Sequence, residues 1–108
     1  MRKISVLACK AFFDRRNFKS DNTRVSLSLN GNPRLFLWGN CIAWIGDDDR
    51  IWFNLCGWNS VTTKERLRTL GINLRSRNGD VWLDNMRLRD NQDYNSNRCL
   101  NQRPEWLR

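Results

Sequence analysis

The chain has no histidine, no Cys-x-x-Cys pair and no long apolar run. Each absence removes a class of function. Without histidine the usual general base and the commonest metal ligand are missing. A cysteine nucleophile would lack its normal activator, and a zinc site would need all four of Cys9, Cys41, Cys56 and Cys99 as ligands. Their wide spacing argues for free thiols instead. No stretch approaches the roughly 18 apolar residues of a membrane span. The start, Arg2-Lys3 followed by ISVLAC, imitates a secretory signal, but Lys10 interrupts it, short of a signal core. An intracellular protein that does not engage a membrane is expected.

Acidic residues are also scarce. Eleven Asp and Glu face 19 Lys and Arg, leaving a formal charge of +8 on 108 residues. That length suits one domain with a modest core. The charge favours polyanionic partners, with nucleic acid ahead of anionic membrane, or else a solvated basic surface. The carboxylates mark no catalytic pair. Asp47, Asp48 and Asp49 are consecutive, without EF-hand spacing or a closing Glu, and read as a solvated turn rather than a metal site. Neither an enzyme nor a cofactor is expected.

Among the segments with positive signals, Gly57 to Leu70 (GWNSVTTKERLRTL) is the most decisive. Thr62 and Glu65 have capping-box spacing, Leu67 and Leu70 form a short apolar stripe, Arg66 and Arg68 suit the end of a helix, and Gly71 supplies its stop. A helix over about 62–70 follows. At about two turns it is too short to stand alone and must dock. Ile4, Leu7, Ala8, Ala11 and Phe12 share a helical face, so residues 4–13 predict an N-terminal helix, with a strand as the alternative. Residues 14–24 read as a basic loop pinned by Phe18.

Residues 25–56 read as a β-meander. Val25, Leu27 and Leu29 alternate with serines, and Asn30 to Pro33 makes a turn. Gly39-Asn40 is taken as a two-residue hairpin loop, pairing Trp38 with Cys41, Leu37 with Ile42 and Phe36 with Ala43. That register puts Val25, Leu27, Leu29, Phe36, Trp38, Cys41, Ala43 and Ile45 on the core face, with Leu35, Leu37, Ile42 and Trp44 opposite. Asn78-Gly79 predicts a type I′ hairpin pairing Arg77 with Asp80, Ser76 with Val81, Arg75 with Trp82 and Leu74 with Leu83. Beyond Leu83 the pattern decays, so one compact domain over 1–83 and a polar, mobile extension over 84–108 are expected. The fold class is α+β: a small antiparallel meander and a C-terminal hairpin, with two helices packed on the sheet.

Three segments carry a resemblance. They are KISVLACKAF with NF and NT-x-V (Lys3–Phe12, Asn17, Phe18, Asn22, Thr23, Val25), LFLWGNCIAW (Leu35–Trp44) and GWNSVTTKERLRTL (Gly57–Leu70). In this order they resemble a widespread class of small bacteriophage accessory proteins with AC-x-AF, NT-x-V, GN-x-IA and W-x-S/T-x-TT-x-ERL segments. The resemblance covers about residues 3–83 and implies a virus-encoded protein made in a bacterial host. It brings no established activity.

The site expected from the residues is the outer face of the second hairpin. There Arg75 and Arg77 flank Trp82, a combination able to stack and neutralise single-stranded nucleic acid. Lys64 and Arg68 lie on the preceding helix, and Arg15, Arg16 and Lys19 add a second basic segment. A cross-strand cation–π pair is the alternative for Trp82. At the level of function, nucleic-acid binding stands beside a host-takeover or anti-defence inhibitor of the anti-CRISPR type, binding an acidic patch on a bacterial protein.

Overall fold

The computed structural model describes residues 2–57 and 60–107, so Trp58 and Asn59 of the third resembling segment lie outside the described residues. The fold is α+β. A six-stranded antiparallel sheet has the order β1 (Phe18–Ser20), β2 (Thr23–Leu27), β3 (Pro33–Leu37), β4 (Asn40–Ile45), β5 (Arg50–Phe53) and β9 (Tyr94–Cys99). A second sheet contains β6 (Leu74–Arg77), β7 (Asp80–Leu83) and β8 (Met86–Arg87). The helices α1 (Lys3–Phe13) and α2 (Val61–Thr69) share one face of the large sheet. There Phe12 and Leu67 join Val25, Leu35, Ala43, Ile51 and Phe53 in one core.

The N-terminal helix forms, but its buried stripe is rotated from the expected one. Leu7 is 40% exposed, while Ser5, Cys9 and Phe13 are buried. Counting apolar residues misses such a face, because Ser5 and Cys9 turn inward to bond. The Cys9 thiol donates to the Thr69 carbonyl, and Ser5 Oγ donates to Glu65.

The capping box is not formed. Ser60 is the N-cap, accepting from the Thr63 amide at 3.1 Å, so α2 starts one residue earlier than Thr62. That frees Glu65, whose carboxylate accepts from Ser5, Thr69 and Arg66. Arg66 does not serve the helix end. It is 3% exposed, with Nε donating to Thr23 and Nη1 to Ser5 and Glu65, and it ties both helices to β2. Burial alone would raise the Glu65 pKa, but the hydrogen bonds from Ser5 and Thr69 and the Arg66 charge outweigh it and hold the carboxyl below its ordinary value. The docking stripe is as expected: Leu67 and Leu70 are fully buried, and Gly71 closes α2 at φ 100°.

Three other expectations are corrected. Residues 18–20 form a strand where a loop was read, closing on β2 through Asp21 and Asn22. Three polar-flanked residues are too few to show a period. The second correction concerns β3–β4, where the turn is Trp38-Gly39, with φ 49° and 79°, rather than Gly39-Asn40. A type I′ loop needs positive φ at both central positions and favours Gly at the second. The shift by one residue pairs Leu37 with Asn40 and Phe36 with Cys41, and a bulge then pairs Leu35 with Ala43. Leu35 and Leu37 therefore enter the core, while Phe36 turns outward; Leu29, expected in the core, lies past the end of β2 and is fully exposed. The bulge lets both Ile42 and Ala43 bury. Finally, Tyr94–Cys99, expected as loop, is the strand β9 on the edge of β5, with Tyr94 and Ser96 facing the core. Its many Asn residues hide it from propensity.

Candidate nucleic-acid interface

The second hairpin has the expected register throughout: Arg75 opposite Trp82, Arg77 opposite Asp80, and Asn78 and Gly79 at φ 52° and 81°. Leu74, Val81 and Leu83 face the core. On the other face Arg75, Arg77 and half-buried Trp82 line a cleft of about 260 Å³ with Asp84 and Asn85. Among the described residues neither arginine has an acidic partner and Trp82 has no cation–π contact, while its buried indole N–H lacks a hydrogen-bond acceptor. Lys64 donates to Ser76 Oγ at 2.8 Å and Arg68 Nε to the Leu74 carbonyl at 2.8 Å, so both helix bases adjoin β6.

The other basic segment lies elsewhere. Arg15 and Arg16 follow α1, with Arg16 3.6 Å from Asp14, and Lys19 sits on β1 at the edge of the large sheet. No hydrogen bond or ion pair among the described residues joins these three to the hairpin.

The sequence reading missed a larger aromatic surface. Both α-helices pack on one face of the six-stranded sheet, and among the described residues no helix or strand packs across the opposite face, whose aromatic side chains are half-buried. Register places Ser26, Arg34, Trp44, Trp52 and Asn95 in one row across β2, β3, β4, β5 and β9. A second row holds Lys19, Arg24, Phe36 and Cys41. The Arg24 guanidinium lies 4.3 Å from the Phe36 ring centre and that of Arg34 5.6 Å from it. Trp38, 48% exposed, stands at the hairpin tip beside Lys19, Arg24 and Phe36. The signal was present in the alternation Arg34, Phe36 and Trp44, Trp52, but the misplaced turn put Phe36 inside.

The aspartates of the β4–β5 turn belong to this face. Asp48 accepts from Trp52 Nε1 at 3.1 Å, from the Arg50 amide at 3.1 Å and from Asn95 Nδ2 at 3.2 Å. The Trp52 bond, ahead of the Arg50 amide, holds its carboxyl below the ordinary value. It orients a ring. Among the described residues no three His, Cys, Asp or Glu side chains gather to hold a metal. Burial raises the thiols of Cys9 to about 12 and Cys41 to about 11, so neither is a thiolate near neutrality. What the open face can do is stack planar groups and neutralise anions.

A family model for the Kyanoviridae Gp96 protein matches residues 1–101. The chain belongs to this family. It is therefore a phage protein, made in an infected bacterial host, in agreement with the broader part of the resemblance drawn from sequence. The match also takes in β8 and β9, which that resemblance left out. Comparison with curated proteins and with solved structures gives no match. No helix among the described residues is long and apolar enough to cross a membrane.

Proposed function

We propose that this phage protein binds single-stranded nucleic acid, without catalysing a reaction, on the open face of its six-stranded sheet in the host cytoplasm. The observation carrying the reading is that half-buried Phe36, Trp44 and Trp52 share with Arg24 and Arg34 the sheet face away from the helices. A core would place such aromatics against a second layer, and among the described residues no helix or strand packs across them as one. Unpaired bases expose π-faces to aromatic side chains, whereas a duplex hides them, so the surface suits single strands. Five strands at about 4.8 Å spacing span about 19 Å, room for about five nucleotides at a stacked rise of about 3.4 Å. The net charge of +8 supplies attraction that any sequence would feel. Trp38 strengthens the reading, because a bulky residue held at positive φ on an exposed tip is a strained feature of the kind found at functional sites.

The test is a titration of the protein with single- and double-stranded DNA and RNA at several salt concentrations. Log affinity for single strands should fall linearly with log salt. Arg24→Gln with Arg34→Gln should flatten that slope by up to about 0.7 per charge removed. Trp44→Ala should cost about 1–3 kcal/mol with little change in slope. Arg75→Gln with Arg77→Gln asks whether the hairpin extends the surface, and a smaller effect is expected there. If the parent binds no nucleic acid at moderate salt, the reading fails and an inhibitor of an acidic host protein takes its place.

A further inference from the structure

We infer that a cleft on the helix side of the large sheet, opposite the stacking face, is a binding site for a phosphate group. The cleft, of about 510 Å³, is built from separate parts of the chain: Arg68 near the end of α2, Gly71 after it, Arg98 on β9, and Arg103, Glu105 and Trp106 beyond. Three guanidinium groups and the Glu105 carboxylate line it, and only Arg103 has an ion-pair partner among the described residues, Asp14. Arg98 follows Tyr94 and Ser96 along the inward side of β9, which directs it toward the end of α2 rather than toward Trp52.

Each arginine is anchored by few of its donors. Arg68 Nε donates to the Leu74 carbonyl at 2.8 Å, Arg98 Nη2 to the Gln102 carbonyl at 3.0 Å, and Arg103 Nη2 to Asp14 at 2.6 Å. A guanidinium carries five N–H donors, so most have no hydrogen-bond partner among the described residues. Arg98 Nε is buried and has no hydrogen-bond partner among the described residues. Its guanidinium lies so close to Gly71 that a Cβ there would sit 3.3 Å from both Nε and Nη2. Trp106 closes the other side, its indole N–H fixed on the Thr69 carbonyl at 3.0 Å.

Helix polarity does not account for this cluster. A cation at the end of α2 is favourable and explains Arg68, but Arg98 comes from a later segment and has no ion-pair partner among the described residues, and Arg103, although paired with Asp14, turns further donors to the same cleft. A buried donor without an acceptor is costly. A ligand that relieves both must be anionic and must offer several acceptor oxygens to donors arriving from different directions. A carboxylate fills one guanidinium fork; a phosphate group, with its larger charge and additional oxygens, serves three arginines. The site does not depend on the stacking face and can be tested apart from it.

The probe is inorganic phosphate, followed by thermal melting against sodium chloride at equal ionic strength and pH. A ligand that binds only the folded protein raises the melting temperature in a saturable way. The parent should show that rise. Arg98→Gln and Arg103→Gln should each weaken the apparent affinity about tenfold or more, with circular dichroism reporting the fold. Should Arg98→Gln not fold, Arg68→Gln and Arg103→Gln give the same reading. Arg24→Gln, on the stacking face, should leave the phosphate response intact even if nucleic-acid binding is lost. Competition then identifies the source of the phosphate. A 5′-phosphorylated oligonucleotide that outcompetes its 5′-hydroxyl form assigns a strand end. Equal competition by both assigns the phosphodiester backbone, and competition by a nucleoside monophosphate alone assigns a free nucleotide. Equal stabilisation by phosphate and chloride, or a phosphate response unchanged in the arginine variants, overturns the inference.

Discussion

Replacing Glu65 by Gln should destabilise the protein by about 2–3 kcal/mol, although it removes only a charge and leaves no cavity. Arg66 is 3% exposed, and Glu65 Oε1 is its only anionic partner among the described residues, 2.5 Å from Nη1. Stripping one member from a fully buried ion pair costs about 3–5 kcal/mol, because the other charge is left uncompensated. Two features lower that figure here. The Glu65 side chain is 22% exposed, and Arg66 keeps its bonds to Ser5 and Thr23. In urea, with a denaturant slope of about 1–3 kcal/mol per molar, the midpoint should fall by about 1–2 M. Acid gives an independent check. The native Glu65 carboxyl lies below its ordinary 4.5, so its contribution is complete above that value. It should be lost as pH falls through the depressed native value, because the unfolded chain takes up the proton first. Glu65→Gln should lack this part of the acid decline. Adding Arg66→Met should recover part of the lost stability, since removing both charges leaves none buried alone. A midpoint shift below about 0.3 M, or the same acid decline in parent and variant, would refute the argument.

Leu67→Ala should cost about 2–5 kcal/mol by chemical denaturation, since this side chain is fully buried beneath α1 and the sheet; an unmoved unfolding curve would mean α2 does not dock through it. Ser60→Ala should cost about 1 kcal/mol as a lost N-cap, whereas Thr62→Ala should cost less in the same measurement. Trp38→Asn should raise stability by about 1 kcal/mol by relieving the positive φ, and should weaken binding to single strands in the titration. Native-state alkylation followed by mass measurement should leave Cys9 unlabelled, because burial holds its thiol near 12; after denaturation all four cysteines should react.

Local rules read well wherever a segment's structure depends on its own residues. The Asn78-Gly79 hairpin is the clearest instance, since its turn chemistry and register are both set within ten residues. The docking of α2 through Leu67 and Leu70 was legible for the same reason. What escaped depends on partners far along the chain. Glu65 suits a capping box locally, yet Ser5 and Arg66 draw it away, and Ser60 caps the helix instead. β9 becomes a strand because β5 offers an open edge, and its own sequence of Asn and Ser carries no period. The stacking face was lost to one choice between Gly39-Asn40 and Trp38-Gly39, which inverted the parity of β3 and hid Phe36. The charge excess was correctly read, but its division among the hairpin, the open sheet face and the Arg98 cleft follows from tertiary placement alone.

The central claim, that single strands stack on the open sheet face, is tested most directly by the indole N–H signals of the six tryptophans during titration with a short single-stranded RNA. Each signal can be assigned by substitution. Those of Trp44 and Trp52 should shift together and saturate, with Trp52 reporting through its bond to Asp48. Trp106, held on the Thr69 carbonyl on the helix side, should stay in place. If Trp82 alone moves, the hairpin binds and the sheet face does not. If no indole moves at low salt, the protein does not use this surface for nucleic acid.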